Sequence, residues 1–96
     1  MKVRTSEQVV GFVKSLAPVP RRRLKAALKN LAKGKGDFIQ LEEPLAGYHR
    51  LRTGGYRVIF KYGPASIDCL YAERRSLVYE VFEKEILKTL TEKKQK

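Results

Sequence analysis

Cysteine, acidic residues and long apolar runs are all scarce in this chain, and each shortage closes off a class of protein. Cys69 is the only cysteine among 96 residues, so no internal disulfide can form and a cysteine-based zinc site lacks its ligands. That is compatible with a reducing compartment, and a cytoplasmic location is the expectation. No apolar run approaches the roughly 18 residues of a membrane span, and the opening MKVRTSEQ lacks the apolar stretch of a signal peptide. Secretion and membrane insertion are therefore unsupported, and Met1 reads as a natural start. No repeat or low-complexity segment interrupts the chain. A length of 96 residues suits one domain with one core and is short for two, so residues 1–96 are read as a single domain with 91–96 as a polar tail.

The shortage of acid says most about function. Ten Asp and Glu face 21 Lys and Arg, for a net charge of +11, which makes a polyanion the leading partner class, nucleic acid ahead of an acidic lipid surface. The plainer alternative is a basic surface that serves solubility.

What is present divides into recognisable elements. Residues 2–4 suit a short strand. Thr5-Ser6-Glu7-Gln8 then offers a hydroxyl cap with Gln8 three positions on, as in a capping box. Val9, Val10, Phe12, Val13 and Leu16 recur at helical spacing until Pro18 and Pro20 end the helix, after about 11 residues. A second helix has Pro20 near its first turn and Leu24, Ala27, Leu28 and Leu31 on one stripe. Gly34 suits its C-terminal cap. Residues 35–46 show neither helical nor strand period and read as a connection. Three strands are expected at Tyr48 to Arg52, Tyr56 to Tyr62 and Ser66 to Ala72, and a C-terminal helix over 77–90. The fold class is α+β: an N-terminal αα-hairpin on a three- to four-stranded antiparallel sheet, with a helix at the end.

The hairpin GYHRLRTGGYRVIFKY places arginines on both of its strands. A two-residue loop at Thr53-Gly54 sets Arg50 opposite Arg57 and sends Arg50, Arg52, Arg57 and Lys61 to one face, leaving Leu51, Tyr56, Val58 and Phe60, with His49, on the other. Like charges directly opposed cost about 0.2–1 kcal/mol, a cost that a bound phosphate would offset, because guanidinium binds phosphate bidentately and stays charged. The alternative is a solvated face on which the arginines fan apart. Arg74 and Arg75 follow the last strand at the edge of the same basic plate, and Tyr79 is either a base-stacking platform or a core residue at the helix start.

Leu45-Ala46-Gly47, RLRTGGYRVIF and ERRSLVY together resemble the RelE/ParE superfamily of type II toxin-antitoxin toxins, whose pattern of L-x-G, R-x-R-x-G-x-Y-R and R-x-x-x-Y occurs here at Leu45 to Gly47, Arg50 to Arg57 and Arg75 to Tyr79. The resemblance, with its RelE-like branch favoured, implies a toxin silenced by a cognate antitoxin and acting on mRNA in the ribosome as an endoribonuclease. The implied chemistry needs no metal and no small-molecule cofactor: a ribose 2′-hydroxyl attacks the adjacent phosphate, forming a cyclic phosphate and freeing a 5′-hydroxyl. It assigns Arg57 to the scissile phosphate, Arg50 to a basic position of the catalytic set and Tyr79 to base stacking, with Arg52, Lys61, Arg74 and Arg75 as further RNA contacts. Two departures stand out. Tyr48 replaces a lysine of some relatives, and Arg74 and Arg75 do not reproduce the spacing of an arginine before the tyrosine. The base is unassigned: Glu73 is the nearest carboxylate, Lys61 is distant along the strand, and alternation turns His49 to the helix side. The competing readings are a ParE-like gyrase inhibitor that cuts no RNA and an inactive RNA-binding relative.

The two readings of Tyr79 separate by substitution. A ring that stacks on a base predicts that Tyr79→Phe retains most cutting, while Tyr79→Ala loses roughly 1–3 kcal/mol of transition-state stabilisation, about ten- to more than hundredfold in rate, at an unchanged melting temperature. A core ring predicts instead a stability loss of roughly 3–5 kcal/mol for Tyr79→Ala. Thermal melts beside cleavage rates distinguish them.

Overall fold

One hydroxyl and two prolines divide the N-terminal third of the chain. In the computed structural model, which describes residues 1–74, strand β1 (Lys2–Thr5) leads into helix α1 (Glu7–Ser15), and helix α2 (Pro18–Ala32) follows after two residues. The expected helix over 77–90, the tail, Arg75 and Tyr79 lie outside the described residues.

The cap of α1 is Ser6, whose Oγ accepts the Val9 N–H at 3.2 Å, one residue later than a box built on Thr5 and Gln8 requires. The helix is also shorter than expected, at 9 residues. Gln8 has a different task. Strand β1 runs beside β5 (Ser66–Arg74) only as far as Thr5 opposite Cys69, which leaves the rest of that edge of β5 with unpaired backbone groups. The start of α1 completes it. Ser6 N–H donates to Cys69 O at 3.0 Å, Ser6 Oγ donates to Leu70 O at 2.8 Å, and the Gln8 amide donates to Ala72 O and accepts from Ala72 N–H, both at 2.7 Å. Buried backbone groups need such partners, and Ala72 is fully buried.

Helix α2 starts with Pro18 at a position where the missing N–H costs nothing. It ends in a Schellman motif: Gly34 takes a positive φ of 73°, its N–H donates to Leu31 O, and Lys35 N–H donates to Asn30 O, both at 2.9 Å.

The sheet has five strands in the order β1-β5-β4-β3-β2, more than the three or four expected, and it is mixed. Strand β1 pairs parallel with β5, while β2 (Asp37–Gln40), β3 (His49–Thr53), β4 (Tyr56–Tyr62) and β5 pair antiparallel. Strand β2 lies in the stretch read as a connection, because four residues show too little alternation to register as a period. Both helices cover one face. Val9 and Val13 of α1 and Leu24, Leu28 and Leu31 of α2 bury against Leu51, Val58, Phe60, Ile67 and Ala72 of the sheet, at about 1.5–3 kcal/mol for each large apolar side chain.

Replacing Gln8 by Ala leaves the Ala72 N–H and C=O buried without partners, a loss of about 1–3 kcal/mol for each unsatisfied group. Denaturant melts of Gln8→Ala are therefore expected to show destabilisation well beyond that of the neighbouring exposed Glu7→Ala. Equal, small effects would show that the edge of β5 does not depend on this amide.

Candidate nucleic-acid interface

The face of the sheet turned away from the helices is set by the turn between β3 and β4. Gly54 takes a positive φ of 55°, so the two loop residues are Gly54 and Gly55 and the closing pair is Thr53 with Tyr56. Thr53-Gly54 is not the loop, and every pair moves relative to that expectation. Arg57 stands opposite Arg52, and Arg50 stands opposite Ile59. The sorting of side chains between the two faces survives, because the change of register keeps the parity of the alternation.

One row of the outer face crosses four strands as Asp37, Arg52, Arg57 and Glu73. The two arginines are opposed, and each has a carboxylate residue as its other neighbour. Arg52 Nε donates to Asp37 Oδ2 at 2.6 Å, with both side chains about half exposed, a pair worth at most about 1 kcal/mol at such exposure. Arg57 is only 4% exposed; its Nη1 donates to Tyr56 O at 2.9 Å and to Gly54 O at 3.3 Å. It holds its own turn. Its removal therefore has a cost in stability, contrary to what an exposed plate of arginines implies, since a hydrogen bond from a charged group contributes about 1.5–3 kcal/mol.

The next row carries Ile39, Arg50, Ile59 and Tyr71. Ile59 is fully buried with Leu45, against Leu41, Tyr48, Leu70 and Tyr71. The outer face is thus partly apolar, closed over by the segment 41–48, with Arg50 half-buried at its margin. Strand alternation signalled Ile59, but the strand-like hairpin alone gave no sign of what covers it. Farther along, Lys61 opposes Asp68, which opposes Arg4 on β1. Arg4 and Asp68 lie 3.7 Å apart, and Arg4, Lys61, Asp68 and Ser6 line a cavity of about 270 Å³. Arg4, Asp37 and Asp68 are the charged members of this face that the sequence reading missed; the pairing of β1 and β2 into the sheet is what brings them in.

Of the expected site residues, Arg50, Arg52, Arg57 and Lys61 share the outer face. Arg74 does not: it pairs with Tyr56, and the Tyr56 side chain meets Phe12 edge-on at 5.6 Å on the helix side. Glu73 is the carboxylate beside Arg57 in register, and its Oε1 accepts the Arg74 N–H at 2.9 Å. His49 lies on the helix side, as alternation requires, stacked on Phe60 at 5.2 Å and edge-on to Tyr62 at 4.9 Å. Its Nδ1 has no hydrogen-bond partner among the described residues. Cys69 is buried in the core, which pushes its thiol up to about 12, so it is inert as a nucleophile.

No family model matches the sequence, and no curated protein matches it. Solved structures do. The fold is similar to a chain of the RelB-RelE antitoxin-toxin complex from Methanococcus jannaschii, at a TM-score of 0.65 and 19% identity over 82% of this chain and 98% of that one. It is similar to a chain of the RelE-RelB complex of Pyrococcus horikoshii at a TM-score of 0.60 and 28% identity, over 77% of this chain and 93% of that one. It is similar to YafQ of E. coli at a TM-score of 0.63 and 12% identity, over 81% and 97%.

Burial lowers the His49 pKa from its ordinary 6.5. The unfolded chain therefore takes up this proton at higher pH than the folded one, so stability present above pH 6.5 is lost as pH falls from there through the lowered folded value. His49→Phe is expected to flatten that part of the stability profile, measured by denaturant unfolding at closely spaced pH values between 7.5 and 5. An unchanged slope would assign it to other groups.

Proposed function

From the premise that this chain belongs by fold to the RelE-like toxin superfamily, we propose that it is the toxin of a toxin-antitoxin pair and cuts mRNA on the ribosome. The observation that carries the reading is the fixed guanidinium of Arg57 at the hairpin tip, with Arg52 opposite it and Arg50 on the adjacent row of the same face. A group held by its own turn carbonyls is pre-oriented, which is what stabilising charge on a pentavalent phosphate requires. The 2′-oxygen forms a bond to phosphorus, the bond to the 5′-oxygen of the next nucleotide breaks, and the products are a 2′,3′-cyclic phosphate and a 5′-hydroxyl. The 2′-hydroxyl proton needs an acceptor, for which Glu73 is the carboxylate nearest in register, and the leaving oxygen takes a proton. Arginine, which stays protonated at any working pH, accepts none. Tyr79 completes the set by stacking on a base, and Arg52, Lys61 and Arg75 contact the strand. The cognate antitoxin is a protein segment of acidic or amphipathic character that folds over the toxin.

A second reading has an observation of its own. Arg57 is buried and has a carboxylate residue beside it in register, as an arginine kept for structure would be, and that favours a relative that binds a protein target such as gyrase and cuts nothing.

The purified chain added to a translating extract is expected to cut mRNA within codons and to leave gyrase supercoiling unaffected. Arg57→Lys, which keeps the charge and loses the forked geometry, is expected to slow cutting at least tenfold, equivalent to about 1.4 kcal/mol, while remaining folded by thermal melt. Supercoiling inhibition without cleavage, or a fully active Arg57→Lys, would overturn the nuclease reading.

A further inference from the structure

The charge that makes this protein basic is concentrated away from the candidate site. Between Glu7 and Asp37 the sequence holds eight Lys and Arg and no acidic residue, and this stretch is the helix layer on the other side of the sheet. Along α2 and its C-cap residue, Arg22, Lys25, Lys29 and Lys33 recur at spacings of three, four and four, and all four are exposed. They form a straight stripe about 16 Å long at 1.5 Å per residue. Neither of the two ion pairs among the described residues involves them.

The helix is less stable for having them. Lys25 with Lys29 and Lys29 with Lys33 are like charges four apart, each pair costing about 0.2–0.5 kcal/mol. Arg21, Arg22 and Arg23 lie toward the positive end of the helix dipole, where acidic residues are favoured, and the first turn of α2 has none. A surface held at that cost points to a ligand that offsets it.

The chemistry of the face selects the ligand. From Arg22 to Lys33 the only exposed apolar residue is Ala26, whereas protein interfaces are centred on buried aromatic or aliphatic anchors. No aromatic residue occurs in α2, although single strands are bound by stacking on aromatic rings. What remains is sequence-independent contact of a rigid cationic rod with regularly spaced phosphates. We infer that the exposed face of α2 is a docking surface for the phosphate backbone of a double-helical nucleic acid, separate from the sheet face and able to act at the same time.

The inference does not depend on RNA cleavage, and its test reads binding alone. Fluorescence anisotropy of a labelled RNA hairpin, and of a DNA hairpin of the same sequence, is measured against salt for three full-length chains: the wild type, Lys25→Gln/Lys29→Gln/Lys33→Gln, and an equal-charge control, Lys93→Gln/Lys94→Gln/Lys96→Gln. Each lost phosphate contact flattens the slope of log K against log salt by about 0.9, so the α2 variant is expected to lose roughly 2 to 3 from the slope on either hairpin, and the control much less. Equal losses in both variants would show that binding follows net charge, which overturns the surface. So would an unchanged slope in the α2 variant on both hairpins. Preference for the RNA or the DNA hairpin by the wild type identifies which duplex the face serves, and binding of neither overturns the inference outright.

Discussion

A single backbone angle sets the outer face of this sheet. Gly54 adopts the left-handed region that other residues resist, which makes Gly54-Gly55 the whole of the loop and fixes Thr53 opposite Tyr56. Every later pair on β3 and β4 follows, and because β2 and β5 pair with these strands, the row Asp37, Arg52, Arg57, Glu73 follows too. Two-residue hairpin loops with a glycine at their first position match the twist of the strands they join, so the turn and the sheet reinforce one another. The carbonyls of that turn also hold the Arg57 guanidinium. Turn, register and arginine placement are one arrangement.

That arrangement explains how two arginines can be opposed on a folded sheet without a ligand. The sequence shows the positive partners and suggests an anion from outside; the structure adds a carboxylate residue at each end of the row. Asp37 takes Arg52 directly, and Arg57 turns back to its own loop. The row as a whole has no net charge. A phosphate arriving on this face would therefore compete with partners already present, and its binding would rest on geometry more than on a reservoir of unpaired cations. This is the tension between the two readings of Arg57: the contacts that make it a fixed electrophilic group are the contacts of a structural residue.

The sequence made legible whatever has a strong period or a strong punctuation mark. Two amphipathic helices, the prolines at the start of α2, Gly34 at its end and the three strands of the meander all declare themselves in that way. The division of the hairpin into an apolar and a charged face was also legible, since it depends only on alternation. Three things were not. A four-residue strand such as β2 is too short for a period, and β1 gives no sign that it pairs with a strand more than sixty residues away. A one-residue uncertainty about the loop, Thr53-Gly54 against Gly54-Gly55, changes every cross-strand partner while leaving the faces intact. Gln8 matched a local capping pattern, and its actual partner, Ala72, is remote in sequence and supplied by the tertiary fold.

Net charge was the most visible property of the chain and the least informative about place. A charge of +11 pointed to a polyanion, and the arginines of the hairpin stood ready to receive it, yet the charged row at the hairpin tip is balanced and the excess lies on the helices behind it. Composition sums charge without regard to the face that carries it, and only the fold separates a neutralised row from an uncompensated stripe. Hydrophobic burial drives that separation. The apolar stripe of α2 must turn inward for Leu24, Leu28 and Leu31 to reach the core, so the residues at intervening positions are driven outward together, and because Arg22, Arg23, Lys25 and Lys29 are among them the same packing that builds the core also builds a basic surface.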